Sequence, residues 1–436
     1  ACGLLLLGLI LRARVRLLQV LYVPASVIGG ILGLVLVQVL HRITDGSFAG
    51  EVVGVLKGWP GWLIAVVFAG LFLEREAQPF MEGLCRAARE GLVVWIIVVG
   101  QIVLGLTLSW LVLSRLFDVP VWFGQLIEVG FAGGHGTAAA VGEVYKKQAV
   151  NYPEGVDLAF FFATVGLVYS VVSGIFFVNL AVRRGWTRAG HVQIPKWTGL
   201  EARHHPEPIA FARVRAEVLD PQVFQALLLA AAFVFGMVMR AVLSRYVPWT
   251  ENFPLFMYTL IGGLLVRDGM RLLGVGDLID PQSIRRMTAA AMEFLIVAAI
   301  TALNLQAVLA HGVPVAILLL VGFAWTAVCL LVIGRHLLPG GYWFELGIIN
   351  YGMSTGTTAQ GMMLLRIIDK DMESGAAEDF AFAAPLSAPF IGGGAITVAL
   401  PLILQEFHTG VVIGSLALVT AICCALAWFL ARPVGL

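Results

Sequence analysis

Apolar residues run through this chain in long blocks, not in the alternation of a half-buried strand or the single stripe of a surface helix. At about 1.5 Å per residue, roughly 20 such residues cross the ~30 Å core of a bilayer. The blocks predict transmembrane helices near 17–40, 58–73, 91–115, 158–182, 221–243, 251–266, 292–309, 313–334, 380–404 and 410–431, with Ala1–Leu11 as the shortened end of another. Two further segments, 122–142 and 342–364, are Gly- and Thr-rich with polar centres. Lipid cannot satisfy backbone groups where glycine interrupts a helix, so both are predicted as re-entrant hairpins that enter and leave on one side.

Composition narrows the class. The 436 residues are 59% hydrophobic and only 13% charged, with a net charge of +1. Too few charges remain to coat a soluble body, which excludes a soluble enzyme, a nucleic-acid binder and a disordered chain. The five Cys show neither CxxC nor a Cys/His ligand spacing, so no disulfide, metal centre or cofactor is expected. Alternating the spans puts Arg42, Lys57, Arg115, Lys146, Lys147, Arg240 and Arg245 on one face and the other 21 of the 28 Lys and Arg on the opposite face, including those of the polar loop 183–220. The basic face is expected in the cytoplasm. The N-terminus is then outside, the C-terminus and loop 183–220 are inside, and the chain lies multi-pass in the plasma (inner) membrane. The first hairpin enters from outside and the second from the cytoplasm.

The loop also divides two similar halves. Gly136-Thr137 matches Gly356-Thr357 at an offset of 220, which sets Phe131 on Tyr351 and Trp122-Phe123 on Tyr342-Trp343. Asp157-Leu-Ala-Phe160 matches Asp379-Phe-Ala-Phe382, and Gly29-Gly30 matches Gly262-Gly263. Each half holds five crossings and one hairpin, an odd number that inverts the second half. The predicted fold is an all-α polytopic membrane protein of two inverted repeats, 1–182 and 221–404, joined by the linker 183–220 and followed by an extra helix in 405–436. Inverted repeats with interrupted helices are the plan of secondary transporters, with the site near the bilayer midplane.

The candidate site residues follow from those interruptions. Gly133, Gly134 and Gly136 free the backbone to turn and to approach a ligand closely, and Gly356 stands at the matching place. A broken helix exposes N–H groups suited to a carboxylate and C=O groups suited to a small cation. Thr137, Ser354, Thr355, Thr357 and Thr358 add hydroxyl oxygens, so a sodium ion is expected through Thr137, Thr357 and hairpin carbonyls. Small residues also serve tight helix packing, which is the competing structural role. His135 is suited to bonding a carboxylate, relaying a proton or capping the turn. Gln360 offers an amide to substrate or to the other hairpin. Glu128 is placed to meet a substrate ammonium, an arginine or solvent, and Asn304 either lines the site or bonds across helices.

Val23-Pro-Ala-Ser-Val-Ile-Gly-Gly30, Gly133-Gly-His-Gly-Thr-Ala138 and Ala163-Thr-Val-Gly-Leu-Val168 resemble the sodium/glutamate symporter family. The second hairpin departs from that family's pattern, with Gly356 where proline would stand. The resemblance implies sodium-driven uptake of glutamate or a related anionic amino acid or carboxylate, a homodimer, and an elevator-like core carrying both hairpins. A cation/proton exchanger using Glu128 or His135 is the alternative. An intramembrane enzyme is disfavoured, because HExxH, GxSxG and a Cys/His dyad are missing.

Overall fold

The computed structural model describes residues 1–20, 23–43, 47–74, 80–148, 150–187, 217–246, 255–369 and 373–431. Most of the predicted linker lies outside these residues, with Arg188, Lys196, Arg203, Arg213 and Arg215, as do Arg75, Lys370 and Arg432. All regular structure among the described residues is helical. Six helices there are long and apolar enough to cross a membrane: Gly50–Leu71, Ala88–Leu116, Glu154–Arg184, Pro221–Tyr246, Gly312–Leu337 and Thr409–Ala431. They coincide with six of the predicted crossings. The Pro221–Tyr246 helix leaves Leu227, Val234, Phe235 and Val238 exposed, as a lipid-facing surface requires.

Local chemistry sets the helix ends. The Glu154–Arg184 helix stops at Gly185, whose φ of 67° only glycine adopts cheaply, and Trp186 N–H reaches back to Ala181 C=O at 2.9 Å. The Pro281–Thr301 helix starts at Asp280, which accepts from Ser283 N–H at 3.1 Å, with proline in the first turn where its missing N–H costs nothing.

Two predicted crossings are not continuous helices. The segment 292–309 ends its helix at Thr301 and restarts as Leu305–Ala310, because Asn304 caps the second piece. The segment 380–404 is two helices, Ala376–Ser387 and Ala395–Glu406. Between them Pro389 lacks an N–H, and Gly392 and Gly393 take φ values of 63° and 103°, outside helical space. A third interruption thus joins the two expected from sequence.

The chain divides into two compact units, each drawing on both sequence halves. The first comprises Ala1–Gln19, Pro24–Gln78 and Thr198–Leu303; the second comprises Val20–Val23, Pro79–Trp197 and Asn304–Leu436. Within the first unit the two glycine pairs pack reciprocally. Gly29 lies against the Leu4 backbone of the Cys2–Arg14 helix, and Gly262 against Ala232 of the Pro221–Tyr246 helix. Gly30 meets Ile300, and Gly263 meets the Ala69 carbonyl. Each pair touches the first helix of its own half and the third helix of the other.

The second unit repeats the theme. Its helix Phe80–Leu108 passes into a π-helical turn at Ser109–Leu113, and Gly312–Val328 passes into one at Cys329–Gly334. The two turns begin 220 residues apart, the offset that relates the glycine-threonine pairs. Such turns are rare in helices and gather at functional places.

Candidate functional site

All three interruptions lie in the second unit. The first follows the short Leu126–Gly130 helix, and Gly134, with a φ of 66°, then opens the Gly134–Tyr145 helix. In the second, the Trp343–Thr355 helix turns at Gly356 and Thr357 and returns as Thr358–Ile368. The two arms of this hairpin lie side by side, since a methyl group on Gly352 would stand 2.5 Å from Gly361 Cα. The third spans 388–394.

The interruptions meet. A methyl group on Gly134 would lie 3.2 Å from the Gly356 carbonyl oxygen, and one on Gly392 would lie 3.6 Å from the Ala132 carbonyl oxygen. Gly166 of the long Glu154–Arg184 helix fits between them, with Thr355 C=O and Phe131 against its face. Here too the packing is reciprocal. Ser170 Oγ donates to Gly352 C=O at 3.3 Å, while Gly392, its match at offset 222, approaches Ala132, the match of Gly352 at offset 220. Gln101 Nε2 donates to Ser354 C=O at 2.8 Å on the second hairpin, and Gly322, 221 residues on, packs against Phe131 and Ile127 of the first. The matched aromatics are joined by a column: Phe131 stacks on Phe323, Phe323 on Tyr169, and Tyr169 leans on Tyr351.

Glu128 is fully buried. Its Oε1 accepts from Gly392 N–H at 3.0 Å and from Thr397 Oγ1 at 2.7 Å. Gln125, one turn earlier, donates from Nε2 to Thr397 C=O at 2.6 Å. Of the roles open to Glu128 in the sequence, the structure shows neither an arginine nor solvent beside it; it ties the first interruption to the third. Gln101, Gln125, Ser170, Gly392, Gly393 and Thr397 were not singled out from sequence. Each was visible there as a polar residue in an apolar block or as part of the run Pro389-Phe-Ile-Gly-Gly-Gly394.

The remaining candidates are placed as follows. His135 is buried, and its Nε2 lies 3.1 Å from Thr164 Oγ1. The Thr164 hydroxyl proton is committed to Phe160 C=O at 2.9 Å, so Nε2 is the donor. Thr137 donates to Gly133 C=O at 2.9 Å, and its hydroxyl faces Gly393. Gly136 is half-buried in the first turn of its helix. Thr355 donates to Tyr351 C=O at 2.6 Å, and Ser354 is buried beside it. Thr357 caps the returning arm by accepting from Gln360 N–H at 3.2 Å, and Thr358 is exposed. Gln360 Nε2 donates to Leu167 C=O at 3.0 Å, fastening the tip to the long helix.

Asn304 is exposed and engaged as a cap: its Oδ1 accepts from Gln306 N–H at 3.1 Å, and its own N–H donates to Asp157 Oδ1 at 2.9 Å. Asn304→Ala is expected to cost about 1 kcal/mol of stability, the usual worth of a cap, read as a lower melting temperature. A shifted ligand affinity without that loss would return Asn304 to the site.

The electrostatic character follows from the helix ends. Three helices of eleven or twelve residues begin at the interruptions: Gly134–Tyr145, Thr358–Ile368 and Ala395–Glu406. Three others end there. Starts present N–H groups and partial positive charge, and ends present C=O groups and partial negative charge. The cluster can therefore hold an anion and a cation close together without a basic side chain.

A family model for sodium/glutamate symporters matches residues 1–368. The chain belongs to that family. The match takes in both hairpins and the long Glu154–Arg184 helix, and it stops before the third interruption. The chain is also similar to a sodium/glutamate symporter of Haemophilus influenzae, 26% identical over 171 residues. That stretch is 39% of this chain and 40% of the relative. At the level of the family, the function is sodium-coupled glutamate transport across a membrane, and the family is one of carriers and not of enzymes.

Proposed function

We propose that this chain carries glutamate, or a related anionic amino acid or carboxylate, into the cell on an inward sodium gradient. The observation that carries the reading is the meeting of three helix interruptions inside one compact unit. Substrate carboxylates are received at the helix starts of Gly134 and Thr358. Sodium is received by oxygens, including Thr137, Thr357 and the carbonyls of the helix ends.

The reciprocal packing of the glycine pairs, of Ser170 with Gly352, and of Gln101 with the second hairpin supports two inverted repeats, 1–182 and 221–404, with 405–436 as an added helix. On this reading the hairpins are re-entrant from opposite faces, loop 183–220 and the C-terminus are cytoplasmic, and the host is the plasma membrane. The unit holding the interruptions moves as an elevator against the other, in a homodimer. The division of the chain into two units, with every interruption in one, supports that motion.

The test is uptake into proteoliposomes of a panel of amino and dicarboxylic acids, with sodium or choline outside. An inward sodium gradient is expected to accelerate glutamate or a close relative. Equal uptake in sodium and choline across the panel refutes the reading, and sodium-driven pH changes without organic substrate assign the chain to cation/proton exchange.

A further inference from the structure

The proposed carrier leaves open where the coupling ion sits. The side chains around the third interruption answer this. Glu128 and Gln125 are both fully buried, and each keeps one oxygen, Glu128 Oε2 and Gln125 Oε1, without a hydrogen-bond partner. The two side chains sit one turn apart and both bond Thr397, so the unpartnered oxygens belong to one cluster. The other Glu128 oxygen is already served by an N–H and an O–H, the donors an ionised carboxylate takes. No Lys, Arg or His pairs with Glu128 among the described residues. A buried carboxylate without a counter-charge is costly, and a dry cluster of oxygens is the donor set of a hard cation. One negative charge among neutral oxygens suits a monovalent ion. The end of the Ala376–Ser387 helix adds partial negative charge at the same break.

We propose that sodium binds at Glu128, Gln125 and Thr397, against the 388–394 break, and that this is the coupling site of the carrier. The proposal rests on the functional reading above and deepens it. Thr397 and the break lie beyond the part of the chain matched by the family, so this half of the site is read from the structure alone. Binding would draw the first hairpin onto the third interruption and so set the Gly134 helix start for the substrate.

Radioactive sodium binding to the purified full chain without organic substrate, and the sodium dependence of glutamate uptake, are measured for the wild type, Glu128→Gln, Glu128→Asp and Thr397→Val. Glu128→Gln is expected to weaken sodium binding by about 10- to 100-fold, and the other two less. The sodium half-saturation of uptake should rise more than the substrate half-saturation at high sodium. Should Glu128→Gln not be recovered folded, Glu128→Asp and Thr397→Val carry the comparison. Unchanged sodium affinity in the folded variants overturns the site, as does a changed pH profile with sodium affinity intact, which would put a proton there. Wild-type uptake indifferent to sodium would instead overturn the functional reading itself.

Discussion

Gly134→Val is expected to lower sodium-driven uptake by about 100-fold or more, while the protein still inserts and runs as a single species on size exclusion. Valine at a φ of 66° is an outlier that costs about 1–3 kcal/mol of backbone strain. Its branches also extend from a Cβ that lies 3.2 Å from the Gly356 carbonyl oxygen, so the strain is relieved by parting the two tips. Local strain of this size leaves the long helices in place. It displaces the helix start that faces the substrate, and displacements near an ångström suffice for such losses. Gly356→Val acts from the other side, where its Cβ collides with the Gln360 amide and frees that side chain from Leu167. Gly54→Val, on an exposed face with nothing within 4 Å, is the control. Normal uptake in both tip variants would remove the meeting of the hairpins from the mechanism.

The tips were legible in sequence because Gly-Gly-His-Gly and Ser-Thr-Gly-Thr-Thr interrupt otherwise apolar blocks, and lipid penalises interrupted backbone. The third interruption carries an equally plain run, Pro389 to Gly394, but it sits inside a block whose average hydropathy reads as one crossing. With 49 Gly in the chain, a glycine cluster alone separates poorly from helix-packing glycine. Pro389 and the positive φ of Gly392 and Gly393 decide between the two, and only coordinates show φ. Glu128 was legible as a buried charge that needs a partner. Its partners lie 264 and 269 positions away along the chain, a separation no local pattern encodes. Asn304 shows the opposite error: a polar residue in an apolar block that caps a short helix.

The glycine pairs that first suggested a repeat supply the second large effect. Gly263→Val is expected to cost about 1–3 kcal/mol or more and to lower both the folded yield and the melting temperature, because its Cβ would collide with the Ala69 carbonyl. That oxygen belongs to the Ser47–Leu71 helix and moves only with it. Gly30→Val, the matched substitution, meets the Ile300 side chain with its Cβ 2.7 Å away. A side chain on the Pro281–Thr301 helix yields more readily than a backbone, so Gly30→Val should cost less than Gly263→Val while acting at the corresponding crossing. Both lie in the first unit, outside the cluster of interruptions, so their folded fractions should keep the wild-type sodium half-saturation. Thermal melts and sodium titrations of the two variants test this directly. Equal, small losses of stability would mean that the pairs do not sit at backbone crossings, and the reciprocal packing that relates the two halves would lose its clearest pair.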